Sequence, residues 1–280
     1  MTTNQANYHG WSKRFLEWRE GDNAYLSVVF TWDLPEAFQR AVWLRQMGYT
    51  LFAGGPAVTL MPDFLSSVAE CGGKSPTALE RHNPLATFTS RGCIRQCPFC
   101  AVWRTEGKIQ ELDDWPIHPI VCDNNLLACS QAHFDRVVDR LKPLRGIDFN
   151  QGLDARLLTK HHADRLSELN CTVRLAFDSV AYESQFMRAF ELLRDACIPK
   201  HRIRVYVLVG YDDTPEDALY RLRTVADLGI DPNPMRYNPL DTLHRDSYVG
   251  PGWTDSELTR YVRYWANLRF FRAVPFGDFR

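Results

Sequence analysis

The sequence predicts an α/β protein: a parallel sheet of six βα units, making an open or partial barrel, with a small N-terminal βαβ unit and a C-terminal capping helix. Three observations predict it. From about residue 84, short β-rich runs alternate with amphipathic helical segments, the pattern of parallel βα units. Residues 24–56 read as strand, helix and strand. The chain of 280 residues, 45% hydrophobic, is long enough to bury about 75% of the surface its unfolded form would expose. The expected organisation is residues 1–83 for the βαβ unit, 84–245 for the barrel and 246–280 for the helical extension.

In the first unit, an apolar run over 24–31 precedes a helical segment carrying Phe38, Ala41, Val42, Leu44 and Met47, and a second run covers 49–53. Asp33 with Glu36 suggests a capping box, Pro35 suits a first helical turn, and Gly48 suits a helix end. Gly54-Gly55-Pro56 marks a turn, and no Gly-x-Gly-x-x-Gly accompanies it to argue for phosphate binding. The joint to the barrel is expected at Gly72-Gly73-Lys74-Ser75-Pro76.

Six barrel strands are expected over 85–90, 120–122, 146–150, 172–177, 202–210 and 235–238. Helices between them present apolar faces, with Phe134, Val137, Val138 and Leu141 on one and Phe186, Ala189, Phe190 and Leu193 on another. Thr214-Pro215-Glu216-Asp217 caps a third. In such folds the chemistry sits at the carboxyl ends of the strands, so the residues after each run are the ones to weigh.

Composition narrows the function classes. Lys and Arg number 33 against 34 Asp and Glu, a net charge of −1, which argues against wholesale attraction to nucleic acid or anionic lipid. No apolar run approaches the roughly 18 residues of a membrane span, and Met1 to Glu20 shows no apolar signal core, so a cytoplasmic protein without membrane contact is expected. Eight cysteines are too sparse for a disulfide scaffold, and in a reducing compartment a tight group of them points to metal or chemistry.

That group follows the first barrel strand: Gly92-Cys93-Ile94-Arg95-Gln96-Cys97-Pro98-Phe99-Cys100, with spacing Cys-x3-Cys-x2-Cys. Three thiolates on one loop can wrap an iron–sulfur cluster, zinc or copper(I). A structural zinc site takes four ligands, usually two Cys-x2-Cys pairs, and a second pair is missing here. Cys71, Cys122, Cys129, Cys171 and Cys197 fall at no ligand spacing and read as small buried hydrophobes, Cys197 continuing the apolar face of the Phe186 helix. An auxiliary cluster would have only Cys122 and Cys129 to draw on.

Placed at the first strand's exit, with Phe99 before the last cysteine, this motif resembles the radical SAM superfamily. The resemblance implies that Cys93, Cys97 and Cys100 hold three irons of a 4Fe-4S cluster, and that S-adenosylmethionine chelates the fourth. Phe99 would pack beside the cluster loop and near the adenine. Reduction would split the sulfonium to methionine and a 5′-deoxyadenosyl radical that abstracts substrate hydrogen, the electron coming from a donor such as a flavodoxin or ferredoxin. The N-terminal part resembles half of a cobalamin-binding fold, but the Asp-x-His-x-x-Gly loop is absent and no cobalamin is expected. A methylthiotransferase is disfavoured, since only Cys71 precedes the main cluster.

The same resemblance assigns the cofactor pocket. Asp123 or Asn125, in place of the family's Gly-Gly-Glu, would accept from the methionyl ammonium; an Asx turn is the other reading. Independently of the resemblance, the four polar side chains packed around Gly152 over 149–156 suggest a ligand: Gln151 and Asp154 could meet ribose hydroxyls or substrate and Arg156 a carboxylate, with an Asp154–Arg156 ion pair as the alternative. Asp178 and Ser179 match the ribose and carboxylate contacts, or cap a helix. Gly210 would let backbone approach the adenine edge.

The final segment has Leu258, Tyr261, Val262, Trp265 and Leu268 on one helical face, with Thr254 and Glu257 as a capping box. Arg260, Arg263, Arg269 and Arg272, interleaved with Tyr264, Phe270 and Phe271, would form either a solvated face or a nucleic-acid contact. The substrate is left open, nucleic acid or nucleotide ahead of a metabolite or peptide, and no catalytic residue is assigned. The rival is a non-catalytic nucleic-acid-binding module stabilised by zinc or an iron–sulfur cluster.

Overall fold

The structure, a computed structural model, describes residues 11–73, 75, 77–267 and 273–279. Lys74 and Pro76 of the expected joint, and Leu268, Arg269, Phe270, Phe271 and Arg272 of the C-terminal segment, lie outside the described residues.

The N-terminal unit begins with a hairpin. Strand β1 (Leu16–Glu20) pairs antiparallel with β2 (Asn23–Ser27) across Gly21, whose φ of +60° a glycine adopts without strain. Helix α1 (Leu34–Gln46) then leads to β3 (Thr50–Gly54), parallel to β2 with Leu26 opposite Ala53. After α2 (Pro56–Leu60), β4 (Glu70–Cys71) extends the sheet on the far side of β3. The buried stripe of α1 is Leu34, Ala37, Ala41 and Leu44, while Met47 is exposed. Small residues at this spacing let the helix lie close on the sheet. The expected capping box does not form: Asp33 ends a 3-10 turn without a side-chain cap, and Glu36 pairs with Arg14 instead.

A short α3 (Ala78–His82) leads into the larger sheet. Its strands are β5 (Ala86–Thr87), β8 (Ile120–Val121), β9 (Ile147–Phe149), β10 (Cys171–Ala176), β11 (Ile203–Val209) and β12 (Pro232–Arg236), in that spatial order and all parallel. Helices α5 (Gln131–Leu141), α6 (Lys160–Ser167), α7 (Glu183–Asp195) and α8 (Pro215–Asp227) connect successive strands from β8 onward. Sequential parallel neighbours joined by right-handed crossovers carry their helices on one face. The apolar stripes of these helices bury Phe134, Leu166, Phe186 and Leu222 in one core with Val173, Val205 and Val207 of the strands.

In the N-terminal unit the strand expected over 24–31 ends at Ser27, and residues 31–33 form a 3-10 turn. In the larger sheet two boundaries differ from expectation for clear reasons. The run over 85–90 is not one strand: after β5 the chain turns, and β6 (Ser90–Arg91) pairs antiparallel with β7 (Gln110–Glu111). The last strand starts earlier than Met235, at Pro232, because the edge of a sheet tolerates prolines whose missing N–H would break a central ladder.

Helix α9 (Asp255–Ala266) packs on β12, its start fixed by the expected Thr254/Glu257 capping box. Tyr264, expected on the solvated side, is buried and donates to the Val274 carbonyl at 2.8 Å, and Arg260 donates to the Phe276 carbonyl at 2.6 Å. No helix among the described residues is long and apolar enough to cross a membrane.

Candidate metal centre

The three cysteines sit on a loop that the fold closes at its neck. The β6–β7 pair joins residues 90–91 to 110–111, and the Cys93 N–H donates to the Gly107 carbonyl at 3.1 Å. Gly92 lies at this neck with φ +78°, and a Cβ there would stand 2.2 Å from the Lys108 carbonyl oxygen, so only glycine fits. Within the loop, helix α4 (Val102–Thr105) follows the cysteines, and Trp103 Nε1 donates to the Cys97 carbonyl at 3.1 Å. The N-terminal unit braces the loop through α2, which packs on α4.

The residues after β8 hold the loop from the other side. Asp123 is buried and fully engaged: Oδ1 accepts the Thr89 N–H at 2.6 Å, and Oδ2 accepts the Thr89 hydroxyl and, at 2.9 Å, the Ser90 hydroxyl. Burial pushes its pKa above the usual carboxylate range against those bonds. Asp123 therefore buckles the corner between β5 and β6, which leaves its carboxylate committed to the chain itself. Asn124 Oδ1 accepts the Gly92 N–H at 2.9 Å.

Asn125 differs from both neighbours. Its Nδ2 donates to Cys93 Sγ at 3.3 Å, and its Oδ1, although buried, has no hydrogen-bond partner. An orphaned buried acceptor costs about 1–3 kcal/mol, so one beside a thiol loop calls for a donor the chain does not supply. Cys93 Sγ also accepts the Arg95 N–H at 3.3 Å. N–H groups aimed at sulfur stabilise a thiolate, and around iron–sulfur clusters such bonds tune the potential.

Burial pushes the Cys100 thiol above its ordinary value against a hydrogen bond from the Val102 backbone, and the charges of Cys97, Cys93 and Asp178 add to the rise. Among the described residues, no group of three or more His, Cys, Asp or Glu side chains meets where one metal ion would sit.

The loop after β9 faces the cysteines with charge. Asp154 binds Arg95 of the cysteine loop at 2.8 Å and Arg156 at 2.7 Å, the ion pair given as the alternative reading of the sequence. Burial opposes ionisation of Asp154, and the bonds from Arg156 and Arg95 outweigh it, holding the carboxyl below its usual range. For Arg156, burial opposes the charge while Asp154 and the Cys97 sulfur favour it, and its pKa ends above the ordinary value. Gln151 is exposed and adds no hydrogen bond to this group.

The remaining expected contacts spread along the carboxyl edge of the sheet. Asp178 accepts the Leu208 N–H at 3.1 Å, and burial raises its pKa against the nearby Arg221 and Arg156. Ser179 caps the 3-10 turn Val180–Tyr182, as its capping reading anticipates. Gly210, φ +80°, is pressed by the C-terminal segment: a Cβ would meet Leu258 Cδ2 at 2.6 Å. Close helix packing therefore accounts for this glycine. Phe99 meets Tyr211, just past β11, edge-on at 5.4 Å, and the rings of Tyr237 and Tyr248 continue the series at 4.7 and 5.2 Å.

The other thiols stand apart from the loop. Burial pushes Cys122 and Cys171 up to about 12 and Cys129 up to about 11, which keeps them protonated. Cys197 is exposed, beyond the end of α7 and not on its apolar face, at φ +61°.

No family model matches this chain, and comparison with curated proteins finds no match.

Proposed function

We propose that the chain is a radical S-adenosylmethionine enzyme whose six βα units form a partial barrel around the cysteine loop. The observation that carries this reading is Asn125, whose amide nitrogen donates to a cysteine while its buried oxygen waits for a donor. The sequential parallel order of the sheet supports the barrel, since a sheet wound in one direction curls toward closure.

Cys93, Cys97 and Cys100 would each hold one iron, and Asn125 Oδ1 would accept from the methionyl ammonium. A single tetrahedral zinc would draw its sulfurs to about 3.8 Å from one another, given zinc–sulfur bonds of about 2.3 Å. A cubane instead keeps each sulfur on its own corner, further apart. When bound, the reduced 4Fe-4S cluster supplies one electron that cleaves S-adenosylmethionine to methionine and a 5′-deoxyadenosyl radical, the agent of hydrogen abstraction. Asp154 offsets one of the two guanidinium charges of Arg95 and Arg156 beside the loop, which lessens the positive charge that would raise the cluster's potential. Phe99 and Tyr211 offer an apolar wall where the adenine is expected. The electron would come from a flavodoxin- or ferredoxin-type donor.

The test is anaerobic reconstitution with iron and sulfide, then dithionite and S-adenosylmethionine. The expected result is a brown protein that releases 5′-deoxyadenosine and methionine, and a Cys93→Ala variant that releases neither. A colourless protein that retains zinc and releases nothing would replace the proposal with a zinc-stabilised binding module.

A further inference from the structure

In the turn after the second strand, the structure holds a stacked aromatic pair, one ring of which is open to solvent. Phe30 and Trp32, in the turn after β2, lie face to face with ring centroids 4.5 Å apart and planes 8° from parallel, and Phe30 is 49% exposed. The hydrophobic effect alone would bury such rings. The Arg245 guanidinium sits 5.9 Å over Trp32. Its closest carboxylate, adjacent Asp246 at 3.4 Å, is itself exposed, so the pair is solvent-screened and readily exchanged.

The pair is fixed in place. Thr31, between the two rings, donates its hydroxyl to the Thr242 carbonyl at 2.6 Å, which ties this turn to the loop after β12. That loop carries Tyr248, whose ring begins the series Tyr248, Tyr237, Tyr211, Phe99 that ends on the cysteine loop. Arg104 on α4 adds an exposed guanidinium that makes no ion pair among the described residues. A contrasting cluster lies elsewhere: Arg19 and Arg40 over Trp43 are both tied down by Glu17.

We infer that Phe30, Trp32 and Arg245 form a stacking platform for single-stranded nucleic acid, whose bases are led along the tyrosine rings toward Cys93, Cys97 and Cys100. Aromatic faces with a loosely held guanidinium suit unpaired bases and phosphates, because every base has a π-face. Asp33, Asp241 and Asp246 share these loops, and the net charge is −1, so stacking rather than a positive field supplies the affinity. The platform stands on its own geometry; that its ligand is the substrate of the cysteine-loop chemistry rests on the function proposed above.

The test is fluorescence anisotropy of a labelled oligonucleotide of about 12 nucleotides, within the site sizes of such surfaces, as single-stranded DNA, single-stranded RNA and duplex. The full chain is used with no cluster, so binding is read apart from S-adenosylmethionine cleavage. Either single strand should bind more tightly than duplex, with a log–log salt slope near −1.4 from two phosphate contacts at about −0.7 each. Phe30→Ala and Trp32→Ala should each weaken binding by about five- to a hundredfold, and Trp43→Ala should not. Arg245→Glu, at a side chain 70% exposed and dispensable for folding, should also weaken it. Wild-type binding by all three platform variants would overturn the inference, as would self-association of the chain that Phe30→Ala abolishes. 5′-Deoxyadenosine release without oligonucleotide binding would leave the proposed function standing and remove only the platform.

Discussion

Asn125 Nδ2 donates to Cys93 Sγ at 3.3 Å, and this single bond decides where the rest of the amide points: Oδ1 is left buried and unpartnered. The geometry joins a ligand cysteine to an acceptor awaiting an ammonium. Replacing Asn125 by Ala removes an unsatisfied group, so thermal stability should hold. A hydrogen bond to a charged group is worth about 1.5–3 kcal/mol, so S-adenosylmethionine affinity of the reconstituted protein should fall by about ten- to a hundredfold. Titration calorimetry under anaerobic conditions reads it; unchanged affinity would assign the amide to Cys93 alone.

Gly92→Ala keeps every cysteine yet places a methyl 2.2 Å from the Lys108 carbonyl oxygen at a φ of +78°. The neck must open, at a cost of about 1–3 kcal/mol. The larger core lies elsewhere and should stay folded. Iron incorporation should drop sharply while circular dichroism is preserved, and full iron loading would show that the neck does not shape the loop.

A buried ion pair crosses the large sheet. Arg174 donates to Asp148 at 2.7 and 2.5 Å, and also to the Tyr206 hydroxyl at 2.7 Å, which in turn donates to the Asn150 carbonyl at 3.1 Å. This network links β9, β10 and β11 just below the loops that face the cysteines. Asp148→Ala strands a buried guanidinium and should cost about 3–5 kcal/mol in urea unfolding. The double variant Asp148→Leu with Arg174→Met should recover most of that loss. Equal losses from the single and double variants would mean that the fault is packing, not stranded charge.

Stability should also fall on mild acidification. His82, buried between Ser12 and Ser27, has its pKa lowered by desolvation, as do His133 and His162. An unfolded histidine titrates near about 6.5. Below that value the unfolded chain takes up protons that the folded chain refuses, so this contribution is complete above about 6.5 and is lost as pH falls through the depressed folded values. Melting temperatures between about pH 7.5 and 5.5 should decline, with a shallower decline for His82→Gln. An identical slope in that variant would remove His82 from the account.

Much of the fold was legible because it is written in apolar periodicity. The stripes of α5 and α7 and the capping boxes at Thr214 and Thr254 fall where the pattern puts them. What escaped was written in polar residues. Gln110 and Glu111 are exposed and carry no alternation, so the β6–β7 neck has no sequence signal. The motif spacing singled out the cysteine loop, and the density of polar residues after β9 singled out Asp154 and Arg156. Neither could show that Asp154 reaches 59 residues back to Arg95, because that contact exists only once β9 lies on the same edge as the loop. Asp123 and Asn125 look equivalent in sequence. Only the fold shows that Thr89 and Ser90 take the first and leave the second with an open acceptor.

Whether one iron of the cluster is open to S-adenosylmethionine is read by electron paramagnetic resonance of the dithionite-reduced, iron-reconstituted protein with and without that compound. A 4Fe-4S signal whose g-values shift when the sulfonium compound is added is expected, because one iron would take its amino and carboxylate groups. A 4Fe-4S signal that stays unchanged at saturating S-adenosylmethionine would show every iron already capped by the protein, and would contradict the proposed function.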